Sequence, residues 1–353
     1  MSDRLRIIAL EEHVVLPAIM EAWTRSGVPE LPNLGFGDSP LAQQLRDTAE
    51  TRLAHMDDQG VDTAVLSISS PGVQNLPDSD AVAAARDTND QLAEVVAGNP
   101  DRFQAFAAIP TQSPSAAAAE LERAVTELGF PGAMLYGRTG SKLADDPEYD
   151  ELYAAAERLQ VPLHFHPQMP VQAVMDAYYS HIGPIGTALA GPAIGWYYDL
   201  GVQYLRMIFS GVFDRYPDLQ VIAGHWGEVV LFFLDHTGFF ADAGGLARPL
   251  ADYFKQNFWV AGSGTVSPRY LRWTAEVVGT ERMLYSTDYP FTYGFRPGGF
   301  PYVDTSAGAA RSFLEDAPFT DEQKAGIAHR NWEHLTSRAT NHTRRPRQGL
   351  SHA

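Results

Sequence analysis

The sequence predicts one α/β domain, a (β/α)8 TIM barrel with long loops after strands 1 and 5. Three observations predict it. Eight short runs rich in aliphatic and β-branched residues recur along the chain, at 6–10, 63–69, 103–109, 132–136, 161–166, 219–225, 258–263 and 282–288. Their apolar side chains are nearly continuous, the mark of parallel strands buried on both faces. Ala-rich helical stretches separate them, and this alternation with eight repeats closes a parallel sheet into a barrel.

The elements follow in order. The first run, Arg6-Ile7-Ile8-Ala9-Leu10, leads into Glu11-Glu12-His13. A doubly wound open sheet would place a glycine-rich phosphate loop there instead. Residues 14–50 form a proline-containing excursion. Helices are expected at 79–98, 114–128 and 146–159. A second excursion, 168–200, is rich in Gly, Pro, Tyr and Trp; loops that long are usually functional or lie at subunit contacts. The segment 201–215 is apolar enough to mimic a strand, but its length favours a helix. Thr320-Asp321-Glu322-Gln323 reads as a capping box opening a last helix through about Leu335. The barrel domain is set at 1–340. The polar tail 341–353, with Arg344, Arg345 and Arg347, is expected to fray.

Composition narrows the function. The 353 residues carry 26 Lys and Arg against 43 Asp and Glu, a net charge of −17, which argues against nucleic acid as a partner. Hydrophobic residues make up 45% and charged residues 20%, ordinary for a globular protein and wrong for disorder. Cysteine is absent, so disulfides, thiolate metal sites and a cysteine nucleophile are excluded. No run approaches the ~18 apolar residues of a membrane span. Met1-Ser2-Asp3-Arg4 leads straight into the first strand with no secretory leader, so a cytoplasmic location is expected.

In a parallel barrel the C-terminal strand ends share one rim, where active sites sit. Glu11-Glu12-His13, His164-Phe165-His166-Pro167, His225-Trp226-Gly227-Glu228 and Asp288 occupy four of the eight ends. Period-two alternation puts Glu11 and His13 on one side of their strand and Glu12 on the other. Glu11, His13, His166 and Asp288 then supply four ligands to one divalent ion, Zn2+ or Mn2+, the carboxylates favouring manganese. His164 shares a face with His166, and spacing alone does not choose between them. Each residue has a plainer reading: a lone strand-end histidine usually makes hydrogen bonds, and an Asp before Tyr-Pro often only turns the chain. Their conjunction on one rim is what points to a metal. His55, His329 and His334 fall in helical stretches and His342 and His352 in the tail. Trp259, Trp273 and Trp332 read as core or interface aromatics. Tyr178-Tyr179 and Trp196-Tyr197-Tyr198 line either the site entrance or a contact between subunits.

Six motifs extend the pattern: Ala9-Leu10-Glu11-Glu12-His13, Pro100-Asp101-Arg102-Phe103-Gln104-Ala105-Phe106-Ala107, Leu128-Gly129-Phe130-Pro131-Gly132-Ala133, His166-Pro167, Gly224-His225-Trp226-Gly227-Glu228 and Ser286-Thr287-Asp288-Tyr289-Pro290. With these, the chain from Ile8 to about Leu335 resembles the amidohydrolase superfamily. Within it, the chain is similar to the branch of metal-dependent non-oxidative decarboxylases that act on γ-resorcylate, 5-carboxyvanillate and aminocarboxymuconate semialdehyde. Glu-x-His at the start, where the hydrolases mostly carry His-x-His, looks like the aromatic-acid decarboxylases.

The resemblance implies that Glu11, His13, His166 and Asp288 bind the metal, and it selects His166 through its His-Pro motif. It implies a catalytic His225 charged and oriented by Glu228. Asp288 is expected to protonate the ring carbon of an ortho-hydroxy aromatic carboxylate, releasing carbon dioxide. His236 stands where the resorcylate-type enzymes carry a substrate-holding arginine, so Phe232, Phe233 and His236 are expected to form a less cationic wall. Trp23, His164 and Phe291 join His236 as expected substrate contacts. A small aromatic carboxylate substrate and a homodimer or homotetramer are the expected partners. The rival activities are a lactone or amide hydrolase on the same fold and a non-catalytic binding barrel.

Overall fold

The computed structural model of the protein describes residues 4–27, 36–293 and 306–343. Tail residues Arg344, Arg345, Arg347 and His352, where fraying is expected, and the side chain of His342 lie outside the described residues.

The strands are β1 (Ile8–Val14), β2 (Thr63–Ile68), β3 (Phe103–Ala105), β4 (Ala107–Ala108), β5 (Ala133–Tyr136), β6 (Leu163–His166), β7 (Val221–Ala223), β8 (Phe258–Gly262) and β9 (Met283–Tyr285). Every pairing is parallel, in the orders β1-β2-β3 and β4 through β9. β3 and β4 are two halves of one stave interrupted at Phe106, the first bonded to β2 and the second to β5. A parallel bridge between Leu10 and Ser286 joins the last strand to the first. The result is the closed barrel of eight staves that the alternation predicts.

The continuous apolar runs have a direct packing reason. Ile8, Leu10, Val65, Phe106, Met134, Tyr136, Ile222, Trp259, Ala261 and Leu284 form a cluster inside the barrel, and Trp332 and Leu335 of the last helix close its base. Their strand neighbours Ile7, Ala9, Ala64, Leu66, Ala133, Leu135 and Val221 face the helix layer instead. Both faces are dry, so neither carries the polar alternation of a half-exposed sheet.

Helices run over Asp78–Gly98, Pro114–Thr126 and Asp150–Leu159, close to expectation. The expected helix at 201–215 starts earlier, at Gly195, and stops at Phe209. Gly211, with φ of 75°, separates it from a single turn at Val212–Arg215. The capping box forms: Thr320 Oγ1 accepts from the Gln323 N–H, and Gln323 Oε1 accepts from the Thr320 N–H. The last helix passes through a widened turn at Gly326–Arg330 and continues to Thr343, beyond the expected end at Leu335. Helices Pro17–Ser26 and Pro40–Arg46 occupy the first excursion, each opened by a proline whose fixed φ suits the first helical turn. No described helix is long and apolar enough to cross a membrane.

Candidate metal centre

The site begins with a fault in β1. Pairing with β2 proceeds from Ala9 opposite Ala64 to Glu12 opposite Leu66, so Leu10 and Glu11 share one partner position. Glu11 takes the left-handed conformation, φ 61°. Plain alternation from Ile8 and Leu10 would aim Glu12 into the barrel. The bulge shifts the phase by one residue. Glu11 and His13 now face the interior, while Glu12 turns toward the seam with β9.

Four imidazoles gather round the Glu11 carboxylate, which is fully buried. His164 Nε2 stands 3.5 Å from Oε2, His166 Nε2 3.5 Å from Oε1 and His225 Nε2 3.3 Å from Oε1. His13 Nε2 lies 3.4 Å from Asp288 Oδ1. One donor atom each from Glu11, His13 and His166 falls within 4.8 Å of the others. Neither Glu11 oxygen and neither His13 nitrogen has a hydrogen-bond partner among the described residues. Buried polar atoms are rarely left so, and a cation would satisfy carboxylate and imidazole lone pairs together. His166 Nδ1 donates to the Pro167 carbonyl at 2.7 Å, which leaves the Nε2 lone pair free for an ion. Burial, with neighbouring imidazoles adding to it, holds His164 and His166 well below the ordinary histidine range, hence neutral. The donor set therefore fits a divalent metal.

Beside this group the backbone is strained. His225, Trp226, Gly227, Glu228 and Val229 all have positive φ, from 44° to 83°. Only Gly227 adopts that conformation freely; the others cost roughly 1–2 kcal/mol each. Tertiary contacts hold the turn. The His225 N–H donates to Ser263 Oγ at 2.8 Å, and Trp226 Nε1 donates to the Thr265 carbonyl at 2.8 Å. Strain of this kind persists where the surroundings over-determine it, as at functional sites. The turn brings His225 Nδ1 to 2.8 Å from Glu228 Oε1. Burial opposes charge on His225, but the Glu228 and Glu11 carboxylates outweigh it and raise its pKa to about 9. Burial, with the nearby Asp288 carboxylate adding, lifts Glu11 to about 8. Asp288 has φ of 51°, and its Oδ2 accepts from Thr292 Oγ1 at 2.8 Å.

Of the expected substrate contacts, His164 and Phe291 meet the cluster directly. His164 sits against Glu11, and the Phe291 ring is 5.2 Å from His13. Trp23 is buried in the first excursion, its Nε1 donating to the Gly72 carbonyl at 2.8 Å. That bond ties the first excursion to the segment after β2. Phe232, Phe233 and His236, expected to form a wall, lie on the exposed side of the helix Val230–Gly238. Phe232 is 67% exposed, and the His236 ring meets Phe239 and Phe240. A position offset from Glu228 does not report which face of that helix turns outward.

Sequence reasoning assigns no site role to Tyr136, Glu12 or Arg52, and leaves Tyr197 between site entrance and subunit contact. The Tyr197 ring stands 4.6 Å from His225 and Tyr136 5.2 Å from His166. Tyr197 carried the one available signal, its place in an aromatic cluster in a long loop. Glu12 and Arg52, both buried, carried none.

The chain is similar to known proteins over most of its length. The amidohydrolase family profile matches residues 37–333. The chain is 37% identical over 300 residues to the gamma-resorcylate decarboxylase of Rhodococcus jostii, covering 80% of this chain and 88% of that protein. It is 34% identical to the decarboxylase orsB of Emericella nidulans, covering 93% and 96%. A dihydroxybenzoic acid decarboxylase from Polaromonas, crystallised with manganese and the inhibitor 2-nitroresorcinol, superposes with a TM-score of 0.78 at 30% identity, covering 94% of this chain and 97% of that one.

Proposed function

The chain belongs to the amidohydrolase family, and from that premise we propose that it is a metal-dependent, non-oxidative decarboxylase of an ortho-hydroxy aromatic carboxylic acid, a carbon–carbon lyase. The observation that carries this reading is the buried Glu11 carboxylate, ringed by imidazoles, with the charged His225–Glu228 pair directly beside it. Glu11, His13, His166 and Asp288 are the residues to hold the ion, Mn2+ or Zn2+. When bound, it supplies Lewis acidity toward the phenolate and carboxylate oxygens of such an acid.

The protein's own groups do the rest. Asp288 hands a proton to the ring carbon that bears the carboxylate. The carbon–carbon bond then breaks, carbon dioxide leaves, and the electron pair of that bond restores aromaticity. No oxidant or reductant is consumed. His225, held cationic by Glu228, faces the departing carboxylate and balances its charge. Phe291 walls the site beside His13, and His164 forms the floor beneath Glu11.

A single barrel domain over 1–340 with a polar tail at 341–353, a cytoplasmic location, and assembly as a homodimer or homotetramer complete the proposal. Assembly is supported by exposed aromatic side chains at Tyr178, Tyr198, Phe232, Phe233 and Phe239, a surface of the kind that marks contact sites. The experiment is direct. Protein stripped with a chelator should lose activity on a panel of hydroxylated benzoates and regain it with Mn2+ or Zn2+, releasing one carbon dioxide per substrate. Hydrolysis of lactones or amides without carbon dioxide would replace this reading with the hydrolase.

A further inference from the structure

The last strand meets the first along a seam that carries one backbone bridge, Leu10 to Ser286. Side chains supply most of what the ladder lacks. The Ser286 hydroxyl donates to the Leu10 carbonyl. The Thr287 N–H and hydroxyl donate to the two oxygens of the Glu12 carboxylate, at 3.0 and 2.6 Å. The His13 N–H donates to the Tyr289 carbonyl at 2.8 Å. On the outer side of β1, Arg52 Nη2 donates to the His13 carbonyl at 2.6 Å and Arg52 Nε to the Asp47 carbonyl at 2.9 Å. The same guanidinium lies 4.5 Å from the centre of the Tyr289 ring.

These contacts fall beside the candidate ligands. Glu12 lies between Glu11 and His13; Thr287 and Tyr289 flank Asp288. Glu11 and Asp288 both hold the left-handed conformation that non-glycine residues avoid, so neither is kept in place by local preference. Glu12 is 2% exposed and Arg52 1%. Burying two such polar side chains is expensive, and plain barrel closure would be served by apolar ones. What a two-oxygen acceptor and a rigid guanidinium fork add is direction.

We infer that Glu12 and Arg52 are positioning residues, which hold the Glu11–His13 segment and Asp288 at the separation one shared ion requires. Neither bonds to a ligand side chain. Glu12 acts through Thr287 on Asp288, and Arg52 acts through the His13 carbonyl and the Tyr289 ring. The inference rests on the metal assignment proposed above.

The test measures Mn2+ affinity of metal-stripped protein, from the paramagnetic resonance signal of free Mn2+, beside thermal unfolding without metal. Glu12→Ala and Arg52→Lys should weaken Mn2+ binding by about 10–100-fold, the usual effect of removing a group that orients a ligand. Glu12→Gln should recover most of the affinity, because its amide oxygen still accepts from the Thr287 N–H. Thr287→Val deletes only the hydroxyl contact. If Glu12→Ala fails to fold, a several-fold loss of affinity in Thr287→Val supports the inference. Variants with a lowered unfolding midpoint but wild-type Mn2+ affinity would overturn it and make the seam purely structural. Wild-type protein that binds no Mn2+ is a different failure, that of the metal assignment itself.

Discussion

Replacing Gly224 by alanine tests the position of Glu11 without touching a candidate ligand. Gly224 follows β7 with φ −71° and ψ −171°, a conformation open to any residue, so the change introduces no backbone strain. A Cβ there would lie 3.0 Å from Glu11 Oε2, 3.3 Å from Oε1 and 3.4 Å from His164 Nε2. Ordinary contact starts at 3.4 Å, so the carboxylate has to withdraw by about 0.4 Å, twice the ~0.2 Å that metal–ligand distances tolerate. A disturbance of that size should weaken metal binding by roughly 10–100-fold, or about 1.4–2.7 kcal/mol. Stability without metal should move the other way or hardly at all, since alanine at a compatible site gains about 0.4–1 kcal/mol from a less flexible unfolded chain. Mn2+ titration gives the affinity. Unfolding with and without Mn2+ gives the stabilisation by ligand, which should fall by the same energy. Wild-type affinity together with an undiminished Mn2+-induced shift would refute the argument that Glu11 holds the ion from this position.

Asp288→Asn keeps the shape of the side chain and removes its acid, so turnover of the aromatic acid should disappear while the unfolding midpoint of the metal-free protein changes little; retained carbon dioxide release would remove Asp288 from the mechanism. Glu228→Gln deletes the carboxylate that raises His225 to about 9. A charge-assisted hydrogen bond of about 1.5–3 kcal/mol, at 1.36 kcal/mol per unit, should bring the alkaline limb of kcat/KM down by about one to two pH units. The sign follows from the charge: the imidazolium is lost at lower pH once its partner is neutral, and an unmoved limb would mean that His225 does not act as a cation. In the wild type the same pair stabilises the folded state fully below the ordinary histidine range and less as pH rises through about 9. Trp332 is 1% exposed at the barrel base, with Nε1 bonded to Gln104 Oε1 at 2.9 Å. Trp332→Ala should therefore cost about 3–5 kcal/mol by denaturant unfolding, and a loss below about 1 kcal/mol would mean that the base repacks.

Much of the architecture was legible because its causes are local. A parallel strand buried on both faces is apolar throughout, so the eight runs stand out without knowledge of their partners. The capping box at Thr320 is written within four residues and forms as written. The candidate site was legible at one remove, since barrel strands end on a common rim and polar residues at four of those ends are conspicuous. Alternation put Glu11 and His13 on one side of their strand, as they are, but it is the bulge in β1 that turns that side inward. His236 is expected at the pocket because the resemblance puts a substrate-holding arginine at its position, eight after Glu228. The Trp23 indole bonds the Gly72 carbonyl beyond β2, and His236 rides on a helix that follows the left-handed turn at 225–229.

Taken alone, then, the sequence determined the barrel and nominated Glu11, His13, His166, His225 and Asp288 as its polar rim. Tertiary structure decided how those groups face one another. Nothing local explains the bulge that turns Glu11 rather than Glu12 inward, the strained backbone at Glu11, His225 and Asp288, or the buried Glu12 and Arg52 along the seam. The physical reason is range: propensity and periodicity act over a few residues, whereas left-handed backbone and buried charge persist only through partners supplied by distant parts of the chain.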